Sequence, residues 1–129
     1  MHKIMLVEDD ATMLSLLSTL LQIEGYQVVK VKQDSLEGIL NEMRLEKPSL
    51  ALIDVYLRAA SGFDILRRLR QDPELKKIHV LMSSGMDFRE QCLERGADEF
   101  ILKPYMPDEL IKKMRLSLGD KALDEGLVK

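Results

Sequence analysis

Several residue types are scarce in this chain, and each scarcity excludes a class of protein. Among 129 residues there is one cysteine, Cys92, so no intramolecular disulfide can form. A reducing compartment is the simpler interpretation of a single thiol, and we expect a cytoplasmic protein. No apolar run approaches the roughly 18 residues of a membrane span, and the apolar residues 4–7 are too few for a signal peptide. The formal net charge of -3 argues against broad nucleic-acid binding.

The chain does contain enough apolar sequence for one globular domain. Apolar residues make up 46% and charged residues 32%, which is typical of a soluble protein. A domain of this size buries roughly two-thirds of its unfolded surface and needs no disulfide or structural metal. Strand-like apolar runs alternate five times with helix-like patterns. The predicted strands are residues 3–7, 27–31, 50–54, 78–83 and 99–102.

Local signals place the ends of the predicted helices. The first helix is apolar nearly all round, so we expect it to be well buried, and Gly25 suits a left-handed cap after it. Asp34 with Glu37 resembles a capping box at the start of the second helix. Ser61 is the expected N-cap of the third helix, and Pro107 begins the fifth.

Alternating strands and helices predict an α/β fold. We expect a five-stranded parallel sheet, doubly wound with five helices in the flavodoxin-like strand order 2-1-3-4-5. In this order the crevice lies between strands 1 and 3, at the carboxyl ends of the strands. Glu8, Asp9 and Asp54 would converge there although they are far apart in the sequence. Domain 1–119 carries the fold, and 120–129 is a polar tail or the start of a linker.

Polar residues end four of the five predicted strands. They are Glu8 with Asp9, then Asp54, Ser84 and Lys103. The repulsion between two carboxylates about 4 Å apart costs on the order of 4 kcal/mol at an effective dielectric near 20. Mg²⁺ would remove that cost, since it binds a few carboxylates and keeps several waters. The metal, the ammonium and the hydroxyl together suit a phosphoryl group, and Asp54 would be the attacking carboxylate. Asp10 is the expected N-cap of the first helix.

At these positions the chain resembles the receiver domain of two-component response regulators, over about residues 1 to 119. The resemblance is carried by five motifs in order: Leu6-Val7-Glu8-Asp9-Asp10, Ile53-Asp54 with Gly62 eight residues on, Ser83-Ser84, Gly96-Ala97-Asp98, and Lys103-Pro104-Tyr105. The resemblance implies the same sheet. It also implies that the domain acts as a switch that is phosphorylated on an aspartate. The Lys103-Pro104 bond resembles one that is cis in that family.

The resemblance also implies a role for each site residue. Asp54 is the phosphoacceptor. Asp9, Asp54 and the backbone carbonyl of Tyr56 ligate Mg²⁺, with Glu8 acting through water.

Three further residues would respond to the phosphoryl group. Ser84 and Lys103 each contact one of its oxygens. Phe100 matches the aromatic switch that swings inward when Ser84 moves.

Some positions depart from the family pattern. Arg58 replaces a usual proline, which would make the loop after Asp54 more mobile. The segment from Ser84 to Gly96 is shorter than in that family by about three residues. Ser83 competes with Ser84 for the hydroxyl role, and the 30-residue spacing from Asp54 favours Ser84.

The expected function is that of a phosphoacceptor switch, not a metabolic enzyme. A sensor histidine kinase or phosphotransfer protein would donate the phosphoryl group. The face made by the fourth helix, fifth strand and fifth helix would contact an output partner. No direct nucleic-acid or membrane contact is expected, and the chain would be a monomer or a phosphorylation-dependent dimer.

Two alternatives stay open. A receiver-like scaffold could bind partners without phosphorylation. A hydrolase of the haloacid-dehalogenase type needs an aspartate two residues after its nucleophile, where this chain has Tyr56.

Overall fold

A computed structural model describes residues 2–119, which form one five-stranded parallel sheet in the order β2-β1-β3-β4-β5. The strands are β1 (Lys3–Val7), β2 (Gln27–Lys30), β3 (Leu50–Asp54), β4 (His79–Ser84) and β5 (Glu99–Leu102). The helices are α1 (Ala11–Ile23), α2 (Leu36–Glu46), α3 (Gly62–Gln71), α4 (Arg89–Glu94) and α5 (Pro107–Ser117). The flavodoxin-like fold and strand order predicted from the sequence are confirmed. The predicted tail, 120–129, lies outside the described residues.

Alternation along the central strands builds a hydrophobic core on each face of the sheet. In β3, Ala51 and Ile53 pack with residues of α2, α3 and α4, while Leu50 and Leu52 pack with residues of α1 and α5. All four side chains are less than 5% exposed. Burying a side chain of leucine size contributes roughly 1.5–3 kcal/mol. The apolar run therefore anchors the strand whose last residue is Asp54.

Most predicted helix ends are confirmed, and one is wrong. Gly25 adopts the left-handed conformation with φ of 92°, and the Phe63 amide donates to the Ser61 hydroxyl over 3.1 Å. The second helix is not capped by Asp34. Ser35 is its N-cap and accepts from the Gly38 amide at 3.0 Å. Both residues suit an N-cap, and the chain enters the helix one residue later than the charge pattern indicated.

The first helix is less buried than its composition predicted. Leu17 and Leu21 are buried against the sheet, but Leu16 is 63% and Ile23 is 77% exposed. A helix on an open sheet buries only the side that faces the strands, so an apolar pattern all round does not ensure burial all round. In the part of the chain that the structure describes, no helix is long and apolar enough to cross a membrane.

A close approach of the backbone fixes the loop after Asp54. The Gly62 amide donates to the Val55 carbonyl oxygen over 2.8 Å, which brings the start of α3 under the end of β3. A Cβ atom on Gly62 would lie far inside van der Waals contact with the Asp54 carbonyl oxygen and 2.8 Å from the Val55 Cα. Glycine at this position therefore sets the backbone path beside Asp54.

We expect Gly62→Ala to destabilise the fold, because the new methyl group meets rigid backbone and not a movable side chain. Overpacking of this kind typically costs about 1–3 kcal/mol, measurable by urea unfolding. Gly85→Ala is the matched control, since a Cβ there meets nothing within 4 Å. If the two variants unfold at the same urea concentration, the close approach at Gly62 is not a constraint.

Candidate functional site

The carboxyl ends of the parallel strands bring four predicted residues to one edge of the sheet. Glu8 directly follows β1, Asp54 ends β3, Ser84 ends β4 and Lys103 directly follows β5. Strand pairing sets their order across this edge: Val7 pairs with Ile53, and Ser84 pairs with Leu102. The sequence prediction that these residues converge is therefore borne out for the strand ends.

One ammonium group joins two of the acids. Lys103 Nζ lies 2.7 Å from Glu8 Oε1 and 3.2 Å from Asp54 Oδ2. The side chains of Glu8 and Asp54 are only 9% and 12% exposed, so solvent screens this arrangement weakly. The Lys103–Pro104 peptide bond is cis, as the resemblance implied. Lys103 therefore serves as the shared counter-ion of Glu8 and Asp54.

The charges in this crevice are not balanced. Burial raises the pKa of Asp54 above its ordinary value and the charge of Glu8 raises it further, while Lys103 and the Ser83 hydroxyl oppose the rise. Burial acts to lower the pKa of Lys103, but the hydrogen bond to Glu8 and the two negative charges outweigh it, so this pKa is raised. A single ammonium shared by two carboxylates leaves one negative charge uncompensated, and a further cation would be stabilised here.

Asp9 has a contact of its own, with the loop that follows β3. Its Oδ2 accepts a hydrogen bond from the Arg58 amide at 2.6 Å, a bond that proline at position 58 could not donate. The second carboxylate oxygen of Glu8 accepts from the amides of Asp9 and Asp10 at 3.0 and 3.2 Å. Between residues 2 and 119, no three His, Cys, Asp or Glu side chains are grouped closely enough to hold a metal ion. The predicted ligand set of Asp9, Asp54, the Tyr56 carbonyl and Glu8 therefore stays a prediction.

Asp10 has the capping role that the sequence indicated. Its Oδ1 accepts from the Met13 amide at 2.9 Å, at the first turn of α1. The third acid of the run is thereby committed to the helix end.

The two neighbouring serines of β4 have different partners. The Ser84 hydroxyl accepts from the Met86 amide at 3.1 Å, in the loop that follows the strand. The Ser83 hydroxyl lies 3.4 Å from Asp54 Oδ1. Strand pairing places Asp54 opposite Ser83 and not Ser84. The spacing from Asp54 favoured Ser84, and the pairing register that places Ser83 beside Asp54 could not be read from the sequence.

Tyr105 is a site residue to which sequence reasoning gave no role. With Glu8, Asp54 and Ser83 it lines a small cavity beside the crevice. Burial raises its pKa to about 12, and the charges of Glu8 and Asp54 contribute. Its position directly after Lys103-Pro104 was the available signal.

The two aromatic positions singled out by the resemblance differ in exposure. Phe100 is 3% exposed and packs in the core beneath α3 and α4, so its side chain already points inward. Tyr56 is 63% exposed, and its ring meets Phe88 edge-on at 5.9 Å. The Tyr56 side chain therefore lies at the surface beside Phe88, and the switch role of Phe100 stays a prediction.

The raised pKa of Asp54 predicts that Asp54→Asn stabilises the fold at neutral pH. A raised folded pKa gives stability that is fully present below the unfolded pKa, about 3.9, and is lost as pH rises through the folded pKa. The neutral amide avoids this loss, so its advantage over the parent protein should grow between acid and neutral pH in urea titrations.

The control for this pH dependence is Asp72→Asn, for which the opposite sign is expected. The hydrogen bond from Arg44 lowers the pKa of Asp72. The parent protein should therefore be more stable than Asp72→Asn above the unfolded pKa, and this difference in stability should be lost as the pH falls. Destabilisation at neutral pH by both substitutions would contradict the electrostatic description of the crevice.

Comparison with known proteins agrees with this geometry. The family model described as "Response regulator receiver domain" matches residues 4–115. A probable transcriptional regulator, ycf27, from Porphyridium aerugineum is 32% identical over 123 residues, covering 94% of this chain and 50% of the relative. The chain thus spans about half the length of the curated relatives it matches.

Solved structures give the same result. A putative response regulator from Chloroflexus aurantiacus has a TM-score of 0.83 at 29% identity, covering 92% of this chain and 98% of the other. The receiver domain of sensor histidine kinase PA1611 from Pseudomonas aeruginosa, with a magnesium ion coordinated in its active-site cleft, has a TM-score of 0.79 at 19% identity and covers 92% and 98% of the two chains. The second likeness concerns the fold alone. From the match over residues 4–115, together with the strand-end geometry, we conclude that this chain belongs to the response regulator receiver domain family.

Proposed function

We propose that Asp54 is the phosphoacceptor of this receiver domain and that its phosphorylation requires Mg²⁺. The observation that carries the proposal is the pair of nearly buried carboxylates, Glu8 and Asp54, held by the one ammonium of Lys103 at the carboxyl edge of the sheet. Receiver domains are phosphoacceptor switches of two-component systems, and the family match extends over this whole edge.

The chemistry of the donors fits a hard divalent cation. Glu8 and Asp54 offer carboxylate oxygens, and the pKa of Asp54 is raised partly by the charge of Glu8. Such crowding is what Mg²⁺ relieves. We propose that Asp9, Asp54 and the Tyr56 carbonyl hold it, with Glu8 acting through water. When bound, the ion would supply charge neutralisation for the phosphoryl oxygens.

The residues of the crevice then have complementary tasks. A carboxylate oxygen of Asp54 attacks phosphorus, an oxygen–phosphorus bond forms, and the bond from phosphorus to the donor breaks with its electron pair leaving on the donor. Lys103 neutralises a phosphoryl oxygen, and the hydroxyl of Ser84 binds another. Positioning and charge neutralisation supply most of the catalysis in such transfers.

The donor and the output partner are proposed by their chemistry. The donor would be a phosphohistidine on a sensor kinase or phosphotransfer protein, in the cytoplasm. Movement of Ser84 and Phe100 would then alter the face built from α4, β5 and α5. That face exposes 46% of Leu102 and 67% of Met106, which suits an output partner or a phosphorylation-dependent dimer of otherwise monomeric chains. We propose that residues 1–119 suffice for this switch, without direct contact to nucleic acid or membrane.

Incubation with acetyl phosphate and Mg²⁺ tests the proposal. We expect the intact protein to gain the mass of one phosphoryl group, and peptide mapping after reductive trapping to place it on Asp54. Asp54→Asn should gain none. The parent protein treated with the chelator EDTA should also gain none, because the metal is then withheld.

Two results would contradict the proposal. One is labelling of Asp54→Asn to the same extent as the parent protein. The other is an unlabelled parent protein whose circular dichroism shows it to be folded. Asp10→Asn is the matched control, because Asp10 belongs to the same acidic run but caps α1, and it should be labelled normally.

A further inference from the structure

Ser83 faces the acceptor carboxylate because of strand register. Asp54 of β3 pairs directly with Ser83 of β4, and the Val55 amide donates to the Ser83 carbonyl oxygen over 2.8 Å. Side chains of directly paired residues on neighbouring strands project to the same face of the sheet. The hydroxyl of Ser83 and the carboxylate of Asp54 are therefore held side by side by backbone pairing.

Ser83 is buried among apolar neighbours on β4 and β5, although Glu8 and Tyr105 line the same small cavity. It is 2% exposed, and its neighbours on the same face of β4 and β5 are Leu81 and Ile101, both fully buried. Within residues 2–119 its hydroxyl has one hydrogen-bond partner, Asp54 Oδ1 at 3.4 Å. Burying a hydroxyl group without a hydrogen-bond partner costs free energy. The contact with Asp54 therefore explains how a serine is accommodated at this buried position.

The two oxygens of Asp54 consequently have different partners. Oδ1 faces the Ser83 hydroxyl, and Oδ2 faces Lys103 Nζ at 3.2 Å. A carboxylate held at both oxygens cannot rotate freely about its terminal bond. Its orientation toward an incoming phosphorus atom is then set before the donor arrives, which is how positioning lowers a barrier.

We propose that Ser83 is a positioning residue for phosphorylation of Asp54, distinct from the phosphoryl contact assigned to Ser84. The inference rests on the proposed function. With acetyl phosphate as donor, an Asp54 oxygen forms a bond to phosphorus, and the bond from phosphorus to the acetyl oxygen breaks and releases acetate. Ser83 touches only the carboxylate and forms no bond in this step.

Ser83→Ala, Ser83→Cys and Ser83→Thr test the inference by their rates of acetyl phosphate labelling with Mg²⁺, followed by mass spectrometry. Removing the donor should slow labelling about threefold to tenfold, the effect of one ordinary hydrogen bond. Cysteine fills the space but donates weakly, so Ser83→Cys should be slow as well. Threonine keeps the hydroxyl, so Ser83→Thr should restore most of the rate. Ser18→Ala removes a buried hydroxyl of α1 that is not a hydrogen-bond partner of Asp54 in the described residues, and it should not change the rate.

The possible outcomes distinguish a failure of this inference from a failure of the proposed function. A parent protein that labels on Asp54, with Ser83→Ala labelling at the same rate, overturns the inference alone. The inference is also overturned if Ser83→Cys is labelled at the normal rate while Ser83→Ala is labelled slowly. Labelling would then depend only on the volume of the side chain at position 83 and not on its hydroxyl. If Ser83→Thr does not fold, the comparison of Ser83→Cys with Ser83→Ala still decides. A parent protein that does not label at all overturns the proposed function itself.

Discussion

The ammonium of Lys103, shared between Glu8 and Asp54, is the interaction on which the site depends. Lys103 directly follows the last strand, and the two acids come from β1 and β3, so this contact joins the ends of three strands. The side chains are shielded from water. This strengthens the attraction between opposite charges, but it also adds the free-energy cost of removing each charge from water. One positive charge meets two negative charges, and the pKa of Asp54 is raised as a result of burial and of the second acid. The crevice therefore carries an uncompensated negative charge, which is the basis of the magnesium site that we propose.

Much of this architecture could be predicted from the sequence because a few strong patterns specify it. The apolar run that ends at Asp54 is buried on both faces, as a central parallel strand must be. Five alternating strands and helices restrict the topology, and the observed order followed from those restrictions. Glu8, Asp54 and Lys103 were placed together because the carboxyl ends of parallel strands share one edge of the sheet.

What could not be predicted depends on atoms that a residue pattern does not contain. The Asp9 carboxylate accepts a hydrogen bond from the backbone amide of Arg58, and no side-chain pattern identifies an amide partner. Ser83 faces Asp54 because of pairing register, which one sequence does not specify. The choice of Ser35 over Asp34 as a helix cap was a difference of one residue between two suitable side chains. In each case the course of the backbone determined which groups make the contact.

The central claim is that the uncompensated negative charge beside Lys103 makes this edge of the sheet a magnesium site that depends on Asp54. Calorimetric titration of the folded protein with MgCl₂, beside the same titration of Asp54→Asn, tests it most directly. The account predicts a saturable binding heat at millimolar Mg²⁺ for the parent protein and a much weaker one for Asp54→Asn. Absence of binding by the parent protein, or equal affinity in both, would contradict it.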